Sequence, residues 1–137
     1  MNNAIRIVHL DALDQARVST IPCDVINPLS VAVDGVGKIV VVCEGMHHVV
    51  AVYKASGNNR YITETIAGSA STKGFRDGPC LSALFNSPFY VSLDPWGRVM
   101  VCEKKSINLR TPSTTLVCVI ECGLTPPLQH AQTHRCC

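Results

Sequence analysis

An all-β chain made from a repeated antiparallel hairpin is the fold class that three features of the sequence predict. Pro28, Asp34 and Gly37 recur as Pro88, Asp94 and Gly97 at one constant offset. Each set occupies the same frame: an apolar stretch, an Asp-x-x-Gly turn, and a second apolar stretch closing on Cys-Glu, as Cys43-Glu44 and Cys102-Glu103. That is the pattern of two strands joined by a tight turn and used twice. The second strand of each copy, residues 39–43 and 99–102, is apolar at every position rather than at alternate ones, as in strands buried on both faces. Four-stranded sheets stacked face to face around an axis meet that demand, whereas a flat sheet with one wet face does not. The expected architecture is therefore an incomplete β-propeller of four-stranded antiparallel blades.

The elements follow in order. Residues 1–22 form an outer half-blade, with strands around Ala4 to Val8 and Val18 to Ile21 on either side of a loop from Asp11 to Gln15. Ile5 is aligned with Val50, and Ile21 with Ile66. Residues 26–68 form a complete blade. Its third and fourth strands, His47 to Tyr53 and Tyr61 to Gly68, are joined by the polar turn Ser56-Gly57-Asn58-Asn59. Residues 69–84 are a connector rich in Gly, Pro and Asp. Residues 80–85 make one helical turn with Leu81, Leu84 and Phe85 facing inward, and a binding loop is the alternative role for this connector. Residues 85–123 form a second blade, with Ser106 to Leu109 third and Thr115 to Ile120 fourth. Residues 124–137 carry no strand pattern and are expected to be a disordered tail.

Composition narrows the functional classes. At 137 residues the chain can bury one core, and it is 47% hydrophobic and 16% charged. No apolar run of about eighteen residues exists to span a membrane as a helix. The polar opening lacks a signal-peptide pattern, so a cytoplasmic location is expected. The net charge of +2 is too small and too spread for a nucleic-acid footprint. Eight cysteines would suit a disulfide framework in a small secreted chain. Here Cys43 and Cys102, taken as equivalent in stacked sheets, would lie about 10 Å apart, beyond the roughly 7 Å that a disulfide tolerates. All eight are expected to be reduced, as small buried hydrophobes.

The segment Gly74-Phe75-Arg76-Asp77-Gly78-Pro79, followed by Phe85-Asn86-Ser87-Pro88 and then by Val91-Ser92-Leu93-Asp94-x-x-Gly97-Arg98-Val99-Met100-Val101-Cys102-Glu103, resembles the signature of NHL-repeat β-propellers. The resemblance covers about residues 2–123 and is most specific over 74–103. It departs from the family where Ser30 and Tyr90 replace a usual glycine. It also departs at Asn2-Asn3, His47-His48 and Lys105-Ser106, which stand where the family has its naming triplet. The resemblance implies a binding scaffold, a fragment of a larger propeller, that mediates protein–protein interaction. A fragment of a propeller hydrolase or lyase with a channel metal, or an RNA-binding NHL face, is the alternative.

Candidate residues follow from these patterns. Arg6, His47, His48, Lys104 and Lys105 are the candidate binding residues. His47 and His48, as consecutive strand residues, point to opposite faces and do not share one ion. Asp34 and Asp94 recur, whereas a catalytic pair is needed once. They are expected to bond their own turns, with Gly37 and Gly97 at positive φ. No catalytic residue, metal or cofactor is expected, and this chain by itself is not expected to be an enzyme. The partners expected are a protein, or the missing blades, or a second copy. The terminal sheets would leave residues such as Val49, Ile66, Val117 and Val119 uncovered.

Overall fold

The run Ile39-Val40-Val41-Val42-Cys43 organises the molecule. β-branched residues favour a pleated surface, and this strand presents them on both sides with nothing left for solvent. In a computed structural model of the protein, which describes residues 3–10 and 16–104 and the backbone of 116–120, all five of these residues are buried. Val40 and Val42 enter one core with Val49, Ala67, Phe85, Val91, Val99 and Val101. Ile39, Val41 and Cys43 enter another, with Ile5, Ile21, Val25, Val50 and Val52.

Three antiparallel sheets produce this arrangement. Sheet I pairs β1 (Ile5–His9) with β2 (Arg17–Ile21). Sheet II has the order β3 (Pro28–Val33), β4 (Ile39–Cys43), β5 (His48–Lys54), β6 (Tyr61–Gly68). Sheet III has the order β7 (Pro88–Leu93), β8 (Val99–Glu103), β9 (Leu116–Ile120). Sheet II is thus sandwiched, with sheet I over one face and sheet III over the other. The fold is all-β, with antiparallel sheets of two to four strands. Among the described residues no helix is long and apolar enough to cross a membrane.

The hairpin turns form as their residues dictate. Asp34 Oδ1 accepts the N–H groups of Val36 (3.0 Å) and Lys38 (2.7 Å), and Gly37 takes φ +86°. Asp94 Oδ1 accepts those of Trp96 (2.9 Å) and Arg98 (2.8 Å), and Gly97 takes φ +79°. A short aspartate side chain bonding two residues on is an Asx turn, and glycine supplies the left-handed position without a Cβ clash.

Several expectations are corrected. Pro28 pairs with Cys43 and Pro88 with Glu103, so Glu103, not Cys102, stands in the place of Cys43, and the shared Cys-Glu pair is one residue out of register. Cys102 corresponds to Val42 yet lies on the opposite side of its strand from Val101. Likewise Ile5, which faces the next sheet, matches Val49 rather than Val50. A one-residue slip exchanges the two faces of a strand, and the slip arises on β6, where Ile66 is the extra residue between Ala67, opposite Val49, and Thr65, opposite Val50. Val49 is consequently fully buried rather than uncovered, and Ile66 packs against the same core. Residues 116–120 pair directly with β8, in the third place expected for Ser106 to Leu109. The latter lie outside the described residues, as do the expected tail at 124–137 and the side chains of Val117 and Val119. An apolar β-branched run suits that inner position better than the polar Ser-Ile-Asn-Leu.

In the connector, Leu81 is exposed while Ala83 and Phe85 are buried. The N–H groups of Ser82 and Ala83 both donate to Pro79 O, which turns Leu81 outward. Cys80 is disulfide-bonded, whereas Cys23, Cys43 and Cys102 are free. The expectation that all eight cysteines are reduced therefore fails at Cys80, while it holds at Cys23, Cys43 and Cys102.

Candidate functional site

The seams between sheets repeat one device, and it absorbs two of the five candidate residues, His47 and Lys104. The residue that opens each inner hairpin has left-handed backbone, Asn27 at φ 52° and Ser87 at φ 54°. Its N–H donates to a side chain of the preceding sheet: Asn27 N–H to Asn3 Oδ1 (2.9 Å), and Ser87 N–H to His47 Nδ1 (3.3 Å). Its carbonyl accepts from the residue ending the hairpin, Glu44 N–H (3.2 Å) or Lys104 N–H (3.1 Å). One residue earlier, the Ile26 N–H bonds the Cys43 sulfur and the Asn86 N–H bonds Glu103 Oε1 (2.6 Å). His47 is thus placed as a seam acceptor, the counterpart of Asn3.

Burial dominates the electrostatics of these groups. It pushes the Cys43 thiol up to about 11, and it raises the Glu103 carboxyl above its ordinary range despite the Asn86 N–H that favours the charged form. Lys104 Nζ donates to Glu44 Oε1 (3.2 Å) and stands over the Phe89 ring at 5.8 Å, so it ties sheet III to sheet II. Arg6 is exposed on β1 opposite Thr20. Lys105 lies outside the described residues.

His48 is buried and its pKa is lowered by desolvation. Its ring, with Thr65 Oγ1 at 3.5 Å from Nδ1, borders an open groove of about 800 Å³ between the 22–24 segment and β6, lined also by Cys23, Asp24, Arg60, Tyr61 and Thr63. The expectation that both are strand residues is corrected: His48 opens β5, but His47 caps a single 3-10 turn, Glu44–Met46, in left-handed backbone at φ 51°, with its Nδ1 taken by the Ser87 N–H. Among the described residues no group of three or more His, Cys, Asp or Glu is arranged to hold a metal.

The opposite end of the stack carries the hairpin turns, and there the structure exposes two residues that the sequence patterns did not single out. Val36 is 87% exposed and Trp96 79% exposed, at matching positions of consecutive hairpins. The Arg98 guanidinium lies 5.3 Å from the centre of the Trp96 ring while it also bonds the Asp94 carboxylate. Desolvation acts to raise the Asp94 pKa, and the Arg98 side chain with the Arg98 and Trp96 N–H groups outweighs it, leaving the carboxyl below its ordinary value. On the same end Lys38 lies over the Tyr53 ring at 5.3 Å, and Tyr53 OH donates to Glu64 (3.2 Å). The available signal was an apolar residue in the third position of each Asp-x-x-Gly turn, where solvent would favour a polar one. No family model, curated protein or solved structure matches the chain.

Proposed function

We propose that this chain is part of an NHL-like β-propeller and acts as a protein-binding scaffold, with the turn end around Trp96 and Val36 as its contact face. The sandwiching of sheet II between two sheets supports the propeller assignment, because stacked blades bury both faces of a strand in this way. The single observation that carries the binding assignment is the pair of exposed apolar side chains at equivalent turn positions, one of them a tryptophan with an arginine guanidinium over its ring. Tryptophan and arginine are the side chains enriched among residues that dominate protein interfaces. Arg98 is already tethered by the Asp94 carboxylate, so less of its side-chain freedom remains to be lost on binding. The Lys104 ammonium is directed at Glu44, which works against a continuous basic rim for RNA.

The test is photo-crosslinking in an extract of the source cells, with a photoreactive residue placed at position 96 and, as control, at the exposed Leu81 on the connector. The expected result is a discrete protein adduct from position 96 that is missing from position 81. Adducts that ribonuclease removes, or the same adducts from both positions, would refute the protein-binding assignment.

A further inference from the structure

Charge is distributed unequally between the two ends of sheets II and III. At the turn end they carry Lys38, Lys54, Arg60 and Arg98 against Asp34, Glu64 and Asp94, and every one of those acids is engaged. Asp34 and Asp94 accept the N–H groups of their own turns, Asp94 also holds Arg98, and Glu64 accepts the Tyr53 hydroxyl. Lys54 and Arg60 are exposed, and neither forms an ion pair among the described residues. The seam end and the connector have no such surplus. There Lys73, Arg76 and Lys104 stand against Glu44, Asp77 and Glu103, and Lys104 is already bonded to Glu44.

The strand order sets the cations of sheet II in a row. Lys38 precedes β4, Lys54 closes β5 opposite Tyr61, and Arg60, whose carbonyl accepts the Ala55 N–H at 2.8 Å, precedes β6. Adjacent strands lie about 4.8 Å apart, so the row crosses about 10 Å, starting beside the turn that carries Val36. Trp96 stands on the matching turn of sheet III, one face-to-face sheet spacing of about 10 Å away. Two exposed apolar side chains are thus followed by three cations along one end of the stack.

We propose that the partner of this face is a linear acidic peptide, whose two apolar side chains seat on Trp96 and Val36 and whose following Asp or Glu residues cross Lys38, Lys54 and Arg60. The proposal rests on the protein-binding reading above and specifies the partner. An extended chain advances about 3.3 Å per residue, so the apolar residues stand about three positions apart and about three acidic positions follow the second. Complementary charge steers the encounter and fixes its register, while the apolar contacts hold the complex. Nucleic acid fits less well. Single strands bind on successive open rings, but here Lys38 and Arg98 each lie over a ring, Tyr53 and Trp96, and Val36 has none.

The probe is the blocked peptide Phe-Ser-Gly-Leu-Glu-Asp-Glu, labelled for fluorescence anisotropy and titrated with the full chain, beside a neutral version in which Gln, Asn and Gln replace the three acids. Saturable one-to-one binding of the acidic peptide is expected, with the neutral one weaker by about tenfold. Lys54→Glu combined with Arg60→Glu should weaken the acidic peptide by about tenfold, and the milder Lys54→Gln with Arg60→Gln by about threefold. Both positions are exposed, so the urea midpoints of these variants should match that of the parent. Trp96→Ala should weaken both peptides, whereas Lys73→Glu, on the connector, should change neither. Added salt should weaken the acidic peptide and leave the neutral one unaffected. Equal affinity for the two peptides, with Trp96→Ala weakening both, overturns the acidic partner and leaves the protein-binding face standing. Binding indifferent to Trp96→Ala removes that face as well. Absence of saturable peptide binding also overturns the proposal, and uptake of oligouridine or of phosphatidylserine vesicles that Lys54→Glu with Arg60→Glu abolishes would give the cations to a nucleic acid or an anionic surface.

Discussion

Replacement of Gly68 by alanine probes the seam between sheets II and III at its tightest point. Gly68 ends β6 at φ +83°, and a Cβ there would lie 2.7 Å from the His47 carbonyl oxygen, 2.7 Å from Phe85 Cδ2 and 3.1 Å from His48 Cα. Two costs add. An L-residue held in the left-handed region costs about 1–2 kcal/mol. Forcing a methyl group against packed neighbours costs about 1–3 kcal/mol, and two of the three atoms here are backbone that cannot rotate away. The sum is about 2–5 kcal/mol. Gly97→Ala isolates the first cost, because Gly97 has a similar φ of +79° and nothing within 4 Å of the added Cβ. Urea titration of the full chain, with the midpoint multiplied by a common slope, gives both values. Gly68→Ala is expected to exceed Gly97→Ala by about 1–3 kcal/mol. Equal destabilisation by the two would refute the close approach of His47 and Phe85 to Gly68.

Three further outcomes are expected. Burial raises the Glu103 pKa above 4.5, so its contribution is fully present below that pH and is lost as pH rises through the folded-state value. Urea midpoints of the parent should show this loss above pH 4.5, and Glu103→Gln, which can still accept the Asn86 N–H, should flatten it. A parent and variant with parallel profiles would disprove the burial. Val41→Ala should cost about 1.5–2.5 kcal/mol from lost burial and an incompletely closed cavity, whereas Val31→Ala, half exposed, should cost under about 1 kcal/mol; the same titrations compare them, and the reverse order would contradict the sandwich. With its thiol pushed to about 11, Cys43 should be the slowest of Cys23, Cys43 and Cys102 to alkylate at pH 8, as mass spectrometry of timed quenches would report; faster labelling than Cys23 would contradict its placement.

The legible parts of the fold were those with a local physical cause. Asp34 with Gly37, and Asp94 with Gly97, announce their turns because only a few residue types satisfy that backbone. The unbroken apolar run of β4 announces burial on both faces. Register was much less legible. Cys43-Glu44 and Cys102-Glu103 look like partners on the page, but the constant spacing from Pro28 and Pro88 places Cys43 opposite Glu103, and a chance dipeptide outweighed that spacing. The bulge at Ile66 on β6 has no signature in Thr65-Ile66-Ala67, and it breaks the constant offset that matches Ile5 with Val50 and Ile21 with Ile66, which is why the face of Val49 is not legible. At the candidate site, basic and imidazole side chains drew attention for their chemistry. His47 and Lys104 spend that chemistry on holding sheets together, which depends on residues forty and sixty positions away. Trp96 was visible as the lone tryptophan of the chain, but its exposure follows from the turn that carries it.

The position filled by Cys43 in one hairpin and Glu103 in the other has a consequence for how such repeats diverge. Both side chains receive the same backbone N–H from the loop that opens their hairpin, so the socket demands an acceptor and is indifferent to its element. A thiol there makes a joint whose strength is constant across the range in which proteins work, because it stays protonated until strongly alkaline conditions. A carboxyl in the same socket makes a joint that responds to acidity, with the proton as a ligand it can gain or lose. Two neighbouring repeats that share geometry to within a residue are thereby given different responses to their surroundings by a single substitution.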